Sequence, residues 1–241
     1  MRRRRIWPVL LAGGVGCACL VILGLWQIER LHWKEGLIAA REARLSAPPV
    51  TLDAAMRQAD SGAPIEFLKI AASGSFRHER ELFYLTTAGG SPGFEVVTPL
   101  IAEDGTAVLV DRGFVPEDKR DPLRRPESQP AGPVTVQGFA AAHAYGRGYF
   151  TPDNNAGDNV WYWWDVPAML DMSGVPPGSR AAPFILHELP RGDASLPQPT
   201  PPDASLPNNH LQYAITWLSL ALILAIMTGL FIRQQMRERD T

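Results

Sequence analysis

Two uncharged runs constrain this chain more than anything else in it. From Ile6 to Trp26 the sequence IWPVLLAGGVGCACLVILGLW holds no charge over 21 residues, and from Tyr213 to Ile232 YAITWLSLALILAIMTGLFI adds 20 more. A helix needs roughly 20 residues to cross a ~30 Å hydrocarbon layer. The pattern predicts two transmembrane helices near the two ends. Mean hydropathy is nonetheless close to neutral, at -0.08, so the region between the spans is polar enough to fold in water.

The basic residues Arg2 to Arg5 before the first run also fit the n-region of a signal peptide. Against cleavage, the apolar stretch is long and passes directly into IERLHWKEG without a small-residue cleavage site. Cys17 and Cys19 do not read as lipidation sites, because glycine stands three residues before each and the apolar run continues past both. An uncleaved anchor is expected. Arg233, Arg237 and Arg239 follow the second run, so the positive-inside rule puts both termini in the cytoplasm. The region between the spans is then exported, which in a bacterium means the periplasm.

Of the 23 Lys and Arg residues seven flank the spans, leaving 16 between them against 23 of the 25 Asp and Glu. An exported region about seven charges negative is ill suited to nucleic acid, which rewards basic surfaces. Both cysteines lie in the first span. The exported region therefore has neither disulfides nor thiol chemistry and must be held by its core.

Beyond Trp26 the helical spacing continues through Ile28, Leu31 and Ile38 until Ala47-Pro48-Pro49. VTLDAAMRQA, from Val50 to Ala59, predicts a short helix. The following segments GSFRHERELFYLTT, FEVVTPLIAEDGTAVLVDRGFVP and GPVTVQGFAA are β-branched or aromatic runs split by turn chemistry. Asp104-Gly105 predicts a hairpin. VWYWWD and PFILHEL read as further strands, with a helix capped by Asp165 between them. From Leu189 to Pro207 six prolines and two copies of DASLP suggest an extended tether.

The expected fold is an α+β membrane protein, with two transmembrane helices flanking a mainly antiparallel β domain closed as a small barrel or sandwich. Its parts are a basic N-terminus (1–5), a first span (6–26), an exported helical extension (27–47), a β-rich periplasmic domain (48–188), a tether (189–207), a second span with its capping segment (208–232) and a cytoplasmic tail (233–241).

The sequence contains no GxSxG, HExxH, CxxC or phosphate-cradling glycine loop. Asp111, Arg112 and Glu117 cluster at a strand end and read as a surface or buried salt bridge beside a turn. His32, His78, His143 and His187 lack ligand spacing and read as ordinary interfacial or surface residues. His210 differs, because it stands in the first turn of the second span, where ionisable groups are costly and tend to be functional. With Asn208 or Asn209 as cap, His210, Ala214, Trp217 and Ala221 share a helix face, with Tyr213 alongside. The small alanines leave room for a flat ligand or a neighbouring helix. Topology brings the exit of the first span, with Trp26, Gln27, Arg30 and Lys34, to the same membrane face. Imidazole is a common haem-iron ligand, and Arg or Lys can pair with propionates. The same aromatics also suit an interfacial belt, with Arg30 and Lys34 snorkelling, and both readings stand on these residues alone.

The segments LGLWQIERLHWKEG, GFEVVTPL, DGTAVLVDRGFVP, TPDNN, NVWYWWD and NNHLQYAITW occur in this order between Leu23 and Trp217. Together they closely resemble the surfeit-locus-one family of cytochrome c oxidase assembly factors, and the want of an amphipathic organelle-targeting leader resembles its bacterial members. The resemblance implies a non-enzymatic inner-membrane helper that binds haem a and assists its insertion into the oxidase catalytic subunit, with haem a synthase as a further candidate partner. It implies that His210 is the axial ligand to the haem iron, and it carries the WQxxR-type motif onto Trp26, Gln27 and Arg30. The role of that motif and of the VDRGF motif, Asp111 to Phe114, is less settled in the family. Lys34, Tyr213 and Trp217 complete the expected pocket. A different expectation is a haem-independent scaffold that holds the catalytic subunit through the exported sheet and the face Ala214, Ala221, Ala225. Oxidative chemistry on haem would need a redox centre that the chain does not supply.

Overall fold

The computed structural model describes residues 7–142, 147–175, 178–192, 195–200 and 208–240, without the side chains of 238–240. Arg2 to Arg5, His143 and the second DASLP copy lie outside the described residues. The chain divides into two units, Met1–Arg41 with Ala204–Thr241, and Glu42–Asp203.

The first unit is a helix pair. Helix α1 (Trp7–Ser46) runs unbroken for 40 residues, about 60 Å at 1.5 Å per residue. It stops before Pro48-Pro49, because a residue preceding proline is driven out of the helical region. The other membrane helix, His210–Asp240, has 31 residues. Each carries an apolar window long enough to cross a membrane, of which only 6% is buried within the protein. That exposure separates them from core helices of a soluble domain, whose apolar residues are covered by protein.

Small residues set how the two helices meet. A Cβ on Gly24 would lie 2.7 Å from Leu218 Cδ2, and one on Gly13 would lie 2.7 Å from Thr228 Oγ1. Cys17 Sγ donates to Ala221 O at 3.3 Å. Partner numbers fall in one helix as they rise in the other, so the pair is antiparallel. Ala214 and Ala221 are buried. The alanine face expected to admit a flat ligand or a helix is filled by a helix. Ala225, expected on the same surface, is exposed.

The second unit contains helix α2 (Leu52–Asp60) and helix α3 (Val166–Met172), so the C-terminal membrane helix is α4. Its strands are β1 (Val50–Thr51), β2 (Lys69–Phe76), β3 (Leu82–Ala88), β4 (Ser91–Ala102), β5 (Ala107–Pro116), β6 (Pro133–Ala141), β7 (Val160–Trp161) and β8 (Ala181–Glu188). Their order is β1-β2-β6-β8-β5-β4-β3-β7, and β2 pairs again with β4. The second pairing closes β2, β6, β8, β5 and β4 into a ring, which makes the domain a barrel. Closure runs through Gly74, where a Cβ would sit 2.4 Å from Ile101 O.

Three pairs, β1–β2, β3–β7 and β5–β8, are parallel, and the rest are antiparallel. Strands β5 and β8 are apolar on both faces. Val108, Val110, Phe184 and Leu186 fill the barrel with Leu52 and Met56 of α2, while Leu109 and Ile185 pack outside with Met169 of α3 and Trp161. Burial on both faces is what a parallel pair with a long crossover requires. The caps behave as their residues suggest, since Thr51 accepts from Ala54 N and Asp165 from Ala168 N. At the β4–β5 hairpin Asp104 Oδ1 accepts the Thr106 N–H at 2.9 Å, and Gly105 takes φ +80°.

Two expectations need correction. Within VWYWWD only Val160–Trp161 forms a strand. Asn154 Oδ1 accepts the N–H groups of Tyr162 and Trp163 at 2.8 and 3.2 Å, so a side chain replaces a partner strand. The tether is also not free along its whole length. Phe114 and Gln198 exchange backbone hydrogen bonds of 2.7 and 2.9 Å, and Leu196 packs against the Phe83, Phe94, Val96 and Val115 cluster. Gly113, at φ +106°, allows this, because a Cβ there would be 2.0 Å from Gln198 O.

Candidate functional site

In the helix pair, His210 and Gln27 meet. His210 Nδ1 lies 2.6 Å from Gln27 Oε1, and both side chains belong to the half-buried seam between the helices. Gln27 reaches that seam because it follows Gly24, the buried contact with Leu218, by one helical turn. On α4 the same seam holds Ala214 and Ala221 buried and Trp217 half-buried. Lys34, two turns beyond Gln27, is half-buried on the same α1 face.

The other expected residues lie off the seam. Trp26 and Tyr213 are exposed. Arg30 is exposed too, with its guanidinium 3.7 Å from the ring centroid of Trp33. The helix unit thus presents one imidazole held by a carboxamide, beside outward-facing indole, phenol and guanidinium groups. Among the described residues no group of three or more His, Cys, Asp or Glu is arranged to hold a metal ion.

A second polar centre lies in the barrel. Adjacent residues of a strand face opposite sides, so Asp111 and Arg112 of the DRG stretch serve two different clusters. On the inner side, Arg125 is fully buried and pairs with Glu81 through both terminal nitrogens. Arg125 also donates to Ser128 Oγ at 2.9 Å and to Lys119 O at 3.1 Å. Arg112 lies 3.8 Å from Glu81 and 4.0 Å from Glu188, and donates to Ser128 O at 2.7 Å. Burial would raise the Glu81 carboxyl, but contacts from His78 and Arg125 and the charges of Arg125 and Arg112 hold it below the usual range. Burial pulls the Arg112 guanidinium down to about 10, despite Glu188 and Glu81. A cavity of about 320 Å³ opens here, lined by Phe76, Arg112, Val136, Glu188, Arg191 and Leu196 among others.

The outer cluster is built on a histidine and aromatic rings. His187 Nδ1 is 2.7 Å from Asp111 Oδ2, and its ring stacks on Phe139 with 5.2 Å between centroids. Trp164 stacks on Tyr84 at 4.2 Å and meets His187 edge-on at 5.6 Å. Burial, with the charge of Asp111, pushes the Glu95 carboxyl up to about 8.

The expected salt bridge beside a turn is therefore a buried network for Arg112 and an Asp–His pair for Asp111. Glu117 is exposed and joins neither. His78 and His187 are not ordinary surface residues, because each is packed against an aromatic ring and faces a buried carboxylate. Glu81, Arg125 and Glu95 were not singled out from the sequence. Glu95, an acid between apolar residues in GFEVV, carried a usable signal, whereas Arg125 in a proline-rich turn segment carried none.

Fold and site together define a class: a two-span membrane protein with a β-barrel domain between its spans and a polar contact between its membrane helices. The profile of the SURF1 family matches residues 15–222, and the chain belongs to that family. It is similar to a SURF1-like protein of Monosiga brevicollis, 34% identical over 234 residues, covering 90% of this chain and 85% of that one. It is also similar to surfeit locus protein 1 of Xenopus tropicalis, at 31% over 90% of this chain and 72% of the relative. The Homo sapiens protein of that name is 33% identical over 83% of this chain and 69% of its own length.

Proposed function

We propose that this chain is a non-enzymatic assembly factor for a haem-copper cytochrome c oxidase, and that it holds haem a for transfer to the catalytic subunit. The observation that carries the proposal is the meeting of His210 with Gln27. It fixes an imidazole at the first turn of a membrane helix, where an uncompensated polar group would be expensive. The residues present suit a haem. His210 would be the residue that binds the iron. Trp26, Tyr213 and the half-buried Trp217 offer aromatic surface, and Arg30, with Lys34, supplies positive charge for propionates. Since α1 occupies the alanine face of α4, there is no room for a macrocycle between the helices at Ala214.

When bound, haem a would supply the redox-active iron that the oxidase needs, and this chain would supply its custody. His210 would hold the iron, the aromatics would keep the apolar body out of water, and Arg30 and Lys34 would pair with the propionates. In this proposal the protein resides in a bacterial inner membrane with both termini cytoplasmic and the barrel periplasmic, and haem a synthase is the candidate donor. Reporter fusions at the barrel and at the C-terminus, active on opposite sides of the membrane, test that topology.

Absorption spectra of protein purified from a haem a-producing host test the function. Wild type should carry haem and His210→Ala should lose most of it. Equal haem content in the two sinks axial ligation by His210. A haem-independent scaffold is the second reading, and the loop before Thr151 favours it. Tyr149 and Phe150 are 97% and 95% exposed there, an unusual display for two adjacent aromatics and a suitable contact for the catalytic subunit. Protein free of haem that still co-purifies with the oxidase subunit would support it.

A further inference from the structure

We infer that Gln27 is a positioning residue that sets the tautomer and ring orientation of His210, so that Nε2 is the ligating atom and its donor strength is controlled from α1. The inference rests on the haem-binding reading for its purpose, but its structural half stands without haem. The Gln27 Oε1 atom can only accept a hydrogen bond, so at 2.6 Å the proton between the two side chains belongs to His210 Nδ1. A neutral imidazole protonated on Nδ1 keeps its lone pair on Nε2. Metal-binding histidines are commonly held in this manner by an acceptor on the second nitrogen, which fixes the ring and raises its basicity.

The arrangement depends on how closely the helices approach. Gly24 packs directly against Leu218 and the Ala214 carbonyl, where a Cβ would come within 2.7 Å of the leucine side chain and 3.7 Å of the carbonyl oxygen. Gln27 lies one turn along from Gly24, and His210 one turn before Ala214. The glycine contact therefore brings a short amide within reach of the ring. A carboxamide is also neutral at every relevant pH, so the contact puts no fixed charge at the edge of the membrane. Gln27 consequently acts through His210 rather than as a wall of the pocket, which is a different role from that of Trp26 or Arg30.

The test uses the full chain in detergent micelles or nanodiscs. In the haem-free protein, ¹⁵N-histidine spectra, with His210 assigned by its absence in His210→Ala, should show the Nδ1–H tautomer. Gln27→Leu should shift it toward a mixture. A wild-type spectrum showing the Nε2–H form, or a Gln27→Leu spectrum unchanged from wild type, overturns the inference whether or not haem is ever bound. In the haem-loaded protein, Gln27→Leu should weaken haem binding by roughly 10- to 100-fold, the usual cost of losing such an orienting partner. Gln27→Glu, a stronger acceptor, should restore the affinity, raise the iron–histidine stretching frequency and lower the midpoint potential. If His210→Ala binds haem as well as wild type, ligation by His210 fails, and the haem-free spectrum still decides the tautomer. If His210→Ala loses haem while both Gln27 variants bind it as wild type does, with unshifted frequency and potential, the positioning role fails alone.

Discussion

The barrel and the helix pair solve the same problem, a polar group away from water, by opposite means. The barrel buries full charges and compensates them in a network, with Arg125 fully enclosed and Glu81 paired to it. The helix pair relies at its contact on one imidazole–carboxamide pair, with glycine and alanine at the seam. In water-soluble domains, breaking a buried ion pair leaves an uncompensated charge and costs about 3–5 kcal/mol. Between membrane helices a single hydrogen bond contributes about 0.6 kcal/mol on average. The barrel is therefore the region whose folding depends on its polar residues, while the polar contact of the helix pair has little weight in stability and is free to serve chemistry.

The sharpest way to break this comparison is at Arg125. Replacing it with leucine should cost the barrel about 3–5 kcal/mol, because Glu81 would stay buried without its main partner. Denaturant unfolding followed by near-ultraviolet dichroism checks this. The double variant Arg125→Leu with Glu81→Leu should recover most of the loss. No recovery would mean that Arg125 acts through its backbone acceptors, Lys119 O and Arg120 O, rather than through the carboxylate.

A second test separates the two faces of β5. Burial, with Asp111 beside it, raises Glu95 from an ordinary carboxyl value of 4.5 to about 8, so the folded barrel holds a proton there that the unfolded chain releases. Stability from this group is complete below pH 4.5 and is lost as pH rises toward 8. At 1.36 kcal/mol per pKa unit the loss is a few kcal/mol at most. Burial also raises Glu188, which acts in the same direction, while Glu81, held low, contributes stability that is lost on acidification. Glu95→Gln should flatten most of the decline between pH 4.5 and 8 in unfolding measurements across that range. A decline of unchanged slope would place the titrating group elsewhere.

How much of this was legible in the sequence differs between the two regions for a physical reason. The spans, the short helix after Pro49, the α3 cap and the Asp104-Gly105 hairpin follow from local chemistry, and each was readable from a few neighbouring residues. The meeting of His210 with Gln27 was foreshadowed because polar residues stand out beside an apolar run. The barrel's closure was not, since the β2–β4 and β5–β8 pairings join strands far apart in sequence and no local pattern encodes them. Arg125 and Glu81 lie 44 residues apart and meet only after that closure. The docking of Leu196 and Gln198 was hidden likewise, because a proline-rich composition reads as extended whether or not the segment finds a partner.

The smallest expected effect falls on the helix pair and tests the other half of the comparison. Gly24→Ala places a methyl group 2.7 Å from Leu218 Cδ2 and 2.8 Å from its Cγ, a clash relieved partly by the leucine side chain and partly by a small separation of the helices. Overpacking of this kind should cost near the lower end of its usual range, about 1 kcal/mol. A titration with a denaturing detergent, read by tryptophan fluorescence, should register that loss in the helix unit, while the barrel's own transition stays in place. Small as it is, the change moves α1 away from α4 just one turn from Gln27. The same variant should therefore weaken the His210–Gln27 contact, seen as a partial shift of the His210 ¹⁵N signals toward those of Gln27→Leu. A loss of helix stability without that shift would show that the seam tolerates separation at Gly24 while keeping its polar contact closed, and would make the hydrogen bond, rather than the glycine, the feature that holds the two helices in register.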